Sequence, residues 1–156
     1  ASKILAPALR VGWLHGPPDL TAAVERLKQC TDLCTSSLTQ AIVAELLADT
    51  TWFGEHLRRV RTAVASRAAA FTGAVARHLP GGTCSVPAGG MFCWRDLPGV
   101  DTTALLPRAL EHGVGFVPGG AFAVREPAPS AMRCCYASHS EQVVTEAVRR
   151  LARAAT

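Results

Sequence analysis

Apolar positions follow two regimes along this chain, and the change falls near Leu79. Before it, apolar residues recur at three- and four-residue steps, the mark of amphipathic helices; after it they gather into short runs bounded by Gly and Pro. The short run Val11 to Leu14 is the exception in the first half and reads as a buried strand opened by Arg10. Gly16-Pro17-Pro18-Asp19 then starts a helix, with Pro suited to the first turn and Asp favourable near the positive helix end. Leu20, Val24, Leu27 and Thr31 mark one face of that helix, which ends near Leu33. Thr35-Ser36-Ser37 breaks the pattern and can cap a second helix, Leu38 to Ala48. The longest periodic segment runs from Trp52 to Leu79, with Phe53, Leu57, Val60, Val64, Phe71 and Val75 in one stripe. Arginines 58, 59, 61 and 67 largely fall off it, and Pro80-Gly81-Gly82 stops it.

Beyond that stop the pattern predicts short strands around helices. Thr83 to Val86 and Met91 to Leu97 are strands joined by Pro87-Ala88-Gly89-Gly90. Asp101 or Thr102 caps a helix through His112, with Leu105, Leu106, Ala109 and Leu110 inward, and Gly113 ends it. Val114 to Val117 and Ala131 to Ala137 are further strands, separated by the turn Pro118-Gly119-Gly120. Ser138 and Glu141 form a capping box for a last helix, Ser140 to Ala152. The fold class is α/β, with an α+β second half.

Composition changes this picture little. At 156 residues, 49% hydrophobic and 18% charged, the chain suits a globular fold with a sizeable core. No apolar run reaches the roughly eighteen residues of a membrane span, and no signal peptide is recognisable. Cytoplasmic localisation is expected. The net charge of +4 is mild. Its arginine clusters at 58–77 and 149–153 read as solvated helix faces, without the aromatic interleaving of a nucleic-acid surface. The six cysteines have no zinc spacing and the five histidines no paired motif, so no metal is expected. The cysteines read as small buried hydrophobes in a reducing compartment. Trp13 and Tyr136 read as core residues, and nothing singles out His15 or His139.

Candidate chemistry sits at two places. Lys3 is one of two lysines against fourteen arginines, and Arg10 follows it after a Pro-punctuated turn. Taken singly, Lys3 is a solvated lysine and Arg10 pairs with a local carboxylate. Arg133 interrupts the apolar run Ala-Met-Arg-Cys-Cys-Tyr, where a charge needs either a structural salt bridge or an anionic ligand.

The whole stretch S-K-x-L-A-P-x-L-R-V-G-W, from Ser2 to Trp13, resembles the cofactor-lysine motif of the class I/II, fold type I aminotransferases. Further ordered blocks are similar to the same family: L-x-Q-A-x-V-A-E-L-L at 38–47, P-x-G-G-M-F-x-W at 87–94, G-V-x-F-V-P-G-x-A-F at 113–122 and M-R-x-x-Y-A at 132–137. The resemblance implies pyridoxal 5'-phosphate as cofactor, bound covalently by Lys3, with Ser2 beside it and Arg10 on the phosphate. It also implies that Arg133 binds the α-carboxylate of the substrate. The residue types suit these tasks. A lysine nucleophile needs an amine that is neutral part of the time, and phosphate and carboxylate both match the planar guanidinium fork. Ala8 stands where many relatives have Gly.

The resemblance further implies a layout. Residues 1–50 would be the C-terminal part of the large cofactor-binding domain, 51–79 a long interdomain helix, and 80–156 the small C-terminal domain. The family places the acidic partner of the pyridine nitrogen, the ring stacked on the cofactor and the rest of the phosphate cup upstream of the lysine. A start at Ala1 rather than Met is expected of a piece of a longer product. That piece would expose apolar faces between Lys3 and about Asp49 and would not turn over by itself. The complete protein is expected to act on an α-amino acid and a 2-oxo acid, as a homodimer, without membrane or nucleic acid. Two other readings stand beside this enzyme. One is the aminotransferase-like effector domain of a GntR-like transcription regulator, with a very similar lysine stretch and with nucleic acid as its partner. The other is a stand-alone interaction domain without chemistry.

Overall fold

The structure, a computed structural model, describes residues 1–85, 87–125 and 127–156. It divides into two compact units, Ala1–Val60 and Arg61–Thr156.

In the first unit a 3-10 turn, Pro7–Leu9, is followed by α1 (Pro18–Thr31), α2 (Ser37–Ala48) and the start of α3 (Thr50–His78). Pro18 and Asp19 occupy the first turn of α1, as expected of Pro and an acid at that end. Lys28 reaches Asp32 at 2.7 Å across the last turn. Ser36 stands at the N-cap of α2 without a side-chain capping bond, and Gln40 folds back to donate to the Thr35 carbonyl instead. The Asp49 carboxylate accepts from the Trp52 amide, satisfying one of the orphan donors at the start of α3.

Val43 is the one buried residue of this unit, and α1 buries none. Leu27, Leu33 and Leu38 stand largely exposed, so the apolar face expected between Lys3 and Asp49 is open. Two expectations fail here. Val11 to Leu14 forms no strand, because a strand needs a paired neighbour and this unit holds none. Trp13 is 61% exposed rather than in a core.

The second unit holds the remainder of α3, β1 (Thr83–Cys84), β2 (Phe92–Asp96), α4 (Thr102–Glu111), β3 (Val117–Pro118), β4 (Ala131–Cys135) and α5 (Glu141–Ala155). Its four strands form one antiparallel sheet in the order β1-β2-β4-β3. The central pair sets the register: Phe92 opposes Cys135, Cys93 opposes Cys134, Trp94 opposes Arg133 and Arg95 opposes Met132. Side chains alternate between faces along a strand. Cys93, Arg95, Met132 and Cys134 therefore turn inward and are buried, while Phe92, Trp94, Arg133 and Cys135 turn outward. The buried face shares one apolar cluster with Phe71 and Val75 of α3, Leu105 and Ala109 of α4, and Val144, Val148 and Leu151 of α5. Those positions of α5 follow the i, i+4, i+7 spacing of a single helix face.

Several boundaries depart from the pattern's expectation, each for a backbone reason. Val114 to Phe116 do not join the sheet, because the Gly113 and Val114 amides fold back onto the Leu110 and Ala109 carbonyls to close α4. Val86, expected to end the first strand, lies outside the described residues. Leu110 is exposed, lying about 140° round the helix from Leu105. Asp101 caps α4, accepting from the Thr103 and Ala104 amides. Ser140, not Ser138, caps α5, because the hydroxyl lies three residues before the Val143 amide it accepts. The Glu141 carboxylate turns to its own backbone N–H and to Ser66, which hold its pKa below the usual carboxylate value.

The cysteines split. Cys93 and Cys134 are buried as expected, but Cys30, Cys34 and Cys135 are exposed. Burial first, and then the neighbouring Cys93 thiol 3.0 Å away, push the Cys84 thiol up to about 12. Burial likewise heads the causes that take Cys134 to about 12.

The turn that stops α3 has both glycines at positive φ, +88° at Gly81 and +64° at Gly82. A Cβ at Gly81 would meet open space, whereas at Gly82 it would run into the Asp96 carbonyl and the Pro98 ring. Gly81→Ala is thus expected to cost the left-handed strain alone, roughly 1–2 kcal/mol. Gly82→Ala adds overpacking against backbone that cannot give, roughly 2 kcal/mol more. Urea midpoints of the two variants test this; equal losses would show that strain, not the close approach, governs the turn.

Candidate functional site

Lys3 and Arg10 flank the Pro7–Leu9 turn in the first unit, and both side chains are exposed. The turn is closed by the Leu9 amide on the Ala6 carbonyl and by the Ser2 hydroxyl on the Pro7 carbonyl at 3.5 Å. Arg10 follows in a left-handed conformation, φ 51°, unusual for a residue with a Cβ. Among the described residues its guanidinium meets no carboxylate and no hydrogen-bond acceptor, so the local carboxylate considered for it is not found. An exposed, permanently charged fork and an exposed amine bracketing one short turn suit a small anion that also carries an amine-reactive group.

This segment is held to the rest of its unit by a residue that no sequence motif singled out. The His56 Nε2 lies 2.8 Å from the Ile4 carbonyl, next to Lys3. A carbonyl can only accept, so that nitrogen carries the proton. The imidazole is stacked on Trp52 with centroids 5.0 Å apart and planes 6° from parallel. Trp52 and His56 are one helical turn apart, which is the geometric basis of the stack. The acceptor is fifty-two positions from His56, beyond the reach of any local pattern.

Arg133 lies in the second unit, half-buried on the outward face of the sheet. Its guanidinium carbon sits 4.4 Å from the centre of the Phe92 ring and 4.9 Å from that of Phe122. Among the described residues no carboxylate lies within 4 Å of it and no acceptor takes a hydrogen bond from it. Among the described residues, a structural salt bridge is therefore not what places an arginine here. Farther along the chain, the buried Tyr136 sends its hydroxyl to the carbonyls of Gly89 and Gly90, at 3.3 and 3.0 Å, and so fixes the turn that leads into β2. The glycine pair at 119–120 packs on its own chain, Gly119 pressing against Ala128 and Ala131.

The aminotransferase class I and II family model matches residues 2–151. The chain belongs to that family. It is 39% identical over 155 residues to the 2-aminoadipate transaminase of Thermus thermophilus, covering 98% of this chain and 38% of that protein. The aromatic-amino-acid aminotransferase 1 of Thermococcus litoralis is 34% identical, with 97% of this chain and 36% of the relative covered. An HTH-type transcriptional regulator of Bacillus subtilis, YdfD, is also similar, 33% identical over 72% of this chain and 24% of its own length. Among solved structures, the α-aminoadipate aminotransferase LysN of Thermus thermophilus, complexed with N-(5'-phosphopyridoxyl)-L-leucine, superposes with a TM-score of 0.92 at 39% identity. That match covers 98% of this chain and 39% of the other. The chain thus spans under two-fifths of the length of these relatives, and its fold is that of the C-terminal portion of a fold type I aminotransferase.

The bond from His56 to Ile4 should govern the mobility of the lysine segment. His56→Phe keeps a ring on Trp52 and removes the donor. Amide exchange at Ile4 and Leu5 is expected to quicken roughly fivefold, the equivalent of about 1 kcal/mol for one hydrogen bond. Unchanged exchange would show that something other than His56 holds the segment.

Proposed function

We propose that this chain is the C-terminal portion of an amino-acid aminotransferase that moves an amino group between an α-amino acid and a 2-oxo acid. In this reading residues 1–50 complete the cofactor-binding domain, 51–79 are the interdomain helix and 80–156 the small domain. The observation that carries it is Arg133: a half-buried strand arginine, gripped by aromatic rings, whose fork is spoken for by no carboxylate among the described residues. An arginine so placed is built to receive an anion from outside the chain.

Pyridoxal phosphate is the cofactor of this family, and the residues around the Pro7–Leu9 turn fit it. Arg10 offers its fork to the phosphate, Ser2 stands beside the lysine, and Lys3 supplies the amine that holds the cofactor. When bound, the cofactor serves as the electron sink for a carbanion at the substrate α-carbon. Once the substrate amine has displaced it, Lys3 would carry the proton between the α-carbon of the amino acid and the cofactor, and back again in the reverse half, as a positioned general base and acid. Arg133 binds the α-carboxylate through two parallel N–H donors and so orients the α-carbon. The complete protein is read as a homodimer of the cytoplasm; among the described residues no helix is long and apolar enough to cross a membrane.

A second reading, the effector domain of a GntR-like regulator that senses cofactor or ligand without turnover, is kept by the similarity to YdfD. A winged-helix segment upstream of this chain in its gene would decide for it.

Borohydride reduction of the complete protein with cofactor should label Lys3 and spare Lys28; the reverse, or no label, would overturn the assignment. Arg10→Ala should weaken cofactor retention. Arg133→Ala should leave the cofactor bound and weaken amino-acid binding by roughly 2–5 kcal/mol. Titrating cofactor and amino acid separately on each variant tests the division, and equal loss of cofactor in both would defeat it.

Residues 1–156 on their own should not turn over, since only part of the site is on this chain. An assay with cofactor, 2-oxoglutarate and a mixed amino-acid pool checks this. Turnover above the free-cofactor background would show a complete site.

A further inference from the structure

The outward face of the sheet explains how Arg133 is held. Trp94 opposes it directly across the β2–β4 pair, and Phe92 lies two residues before Trp94 on the same face. From the other side comes Phe122, the last residue of a 3-10 turn, Gly119–Phe122. The Trp94 and Phe122 rings meet edge to face, 5.5 Å apart with planes at 72°. Two aromatic rings therefore lie within reach of one guanidinium, and one of the two is itself braced by a third ring.

We infer that Phe122, braced by Trp94, is a positioning residue for Arg133, holding its guanidinium for a substrate carboxylate. The inference rests on the carboxylate-binding reading of Arg133 above. Its physical content is a choice between two ways of fixing a long, flexible cation. A carboxylate partner would fix it by occupying the N–H donors, and substrate would then have to displace that partner. An aromatic face attracts the cation through the ring quadrupole and leaves the in-plane donors available. Arginine carries substantial rotamer entropy, and restraining it before substrate arrives removes that cost from binding. Trp94 enters because an edge-to-face contact fixes the plane of Phe122, and with it the direction from which the ring faces the guanidinium.

The test uses the complete enzyme with cofactor, the best donor from an amino-acid panel, and 2-oxoglutarate as acceptor. Phe122→Leu removes the ring and keeps an apolar side chain. It should raise KM for the donor about five- to tenfold, leave kcat within about twofold and leave cofactor affinity unchanged. Phe122→Tyr keeps the ring and should restore KM. Trp94→Leu should shift KM in the same direction by less, and it stands in for Phe122→Leu should that variant fold poorly. In an Arg133→Gln background, Phe122→Leu should add no further rise, because a positioning residue has nothing left to position.

An unchanged KM in both Phe122→Leu and Trp94→Leu would overturn the inference while an elevated KM in Arg133→Gln leaves the carboxylate reading standing. Failure of Phe122→Tyr to rescue, or full additivity with Arg133→Gln, would overturn it in favour of a merely structural ring. An Arg133→Gln enzyme with normal KM would defeat the carboxylate reading and this inference with it.

Discussion

Antiparallel pairing of β2 with β4 is the constraint on which the second unit depends. With Trp94 opposite Arg133 and Cys93 opposite Cys134, alternation sends Cys93, Arg95, Met132 and Cys134 to one face and Arg133 with its aromatic neighbours Phe92 and Trp94 to the other. A slip of β2 by one residue would turn Phe92 and Trp94 inward, toward Phe71, Val75, Val144 and Val148, and leave Arg133 on the outward face without them. The apolar face of α5 and the inward face of the sheet fill one cluster only in the observed register. Packing in the core thus holds the outward face in place, and the candidate carboxylate site inherits its geometry from residues that never touch a ligand.

The same two strands carry two arginines in opposite circumstances. Arg95 points inward, is 2% exposed, and donates to the carbonyls of Leu79 and Gly81 just past the end of α3. There the charge meets the negative end of a helix and satisfies carbonyls of the turn that follows it. Its Nε keeps no partner, the one such buried side-chain atom among the described residues. Arg133 points outward and is held by ring faces. Neither has a carboxylate partner among the described residues, yet the consequences differ: one nitrogen of Arg95 is spent on two backbone carbonyls, whereas among the described residues no donor of Arg133 meets an acceptor. Charge in a strand is thus no evidence of function until its donors have been followed to their acceptors.

How far the residues could be read depended on the distance over which each signal acts. Helix periodicity is local, and α1, α2, α3 and α5 lie close to where the apolar stripes place them. The central strands were legible for the same reason, since alternation is written in adjacent residues. The Val11–Leu14 run was not, because apolar composition promises a strand only when a neighbouring strand supplies hydrogen bonds. The cap of α5 turned on which serine stands three residues before an unsatisfied amide, a matter of one or two positions. His56 was invisible: its acceptor is the Ile4 carbonyl, and no side-chain pattern marks a backbone atom fifty-two residues away. Phe92, Trp94 and Phe122 lay inside matched blocks, but their task depends on which strands pair.

The two units meet different physical demands, and the contrast bears on what an isolated stretch of this chain can do. The second unit closes a core around Met132 and Tyr136, both fully buried. The first closes almost nothing, and its order rests on helix hydrogen bonds, on the turn beside Lys3 and on the bond from His56. Helices without a buried face are marginal in water, because tertiary burial supplies most of their stability. Exposed leucines at 27, 33 and 38 add apolar area that a folded protein of this size does not ordinarily leave open over one contiguous stretch. Lys3 and Arg10 thus sit on the less stable unit, while Arg133 sits on the self-sufficient one. Anything that covers the exposed faces of α1 and α2 would therefore stabilise the lysine segment more than the arginine at 133.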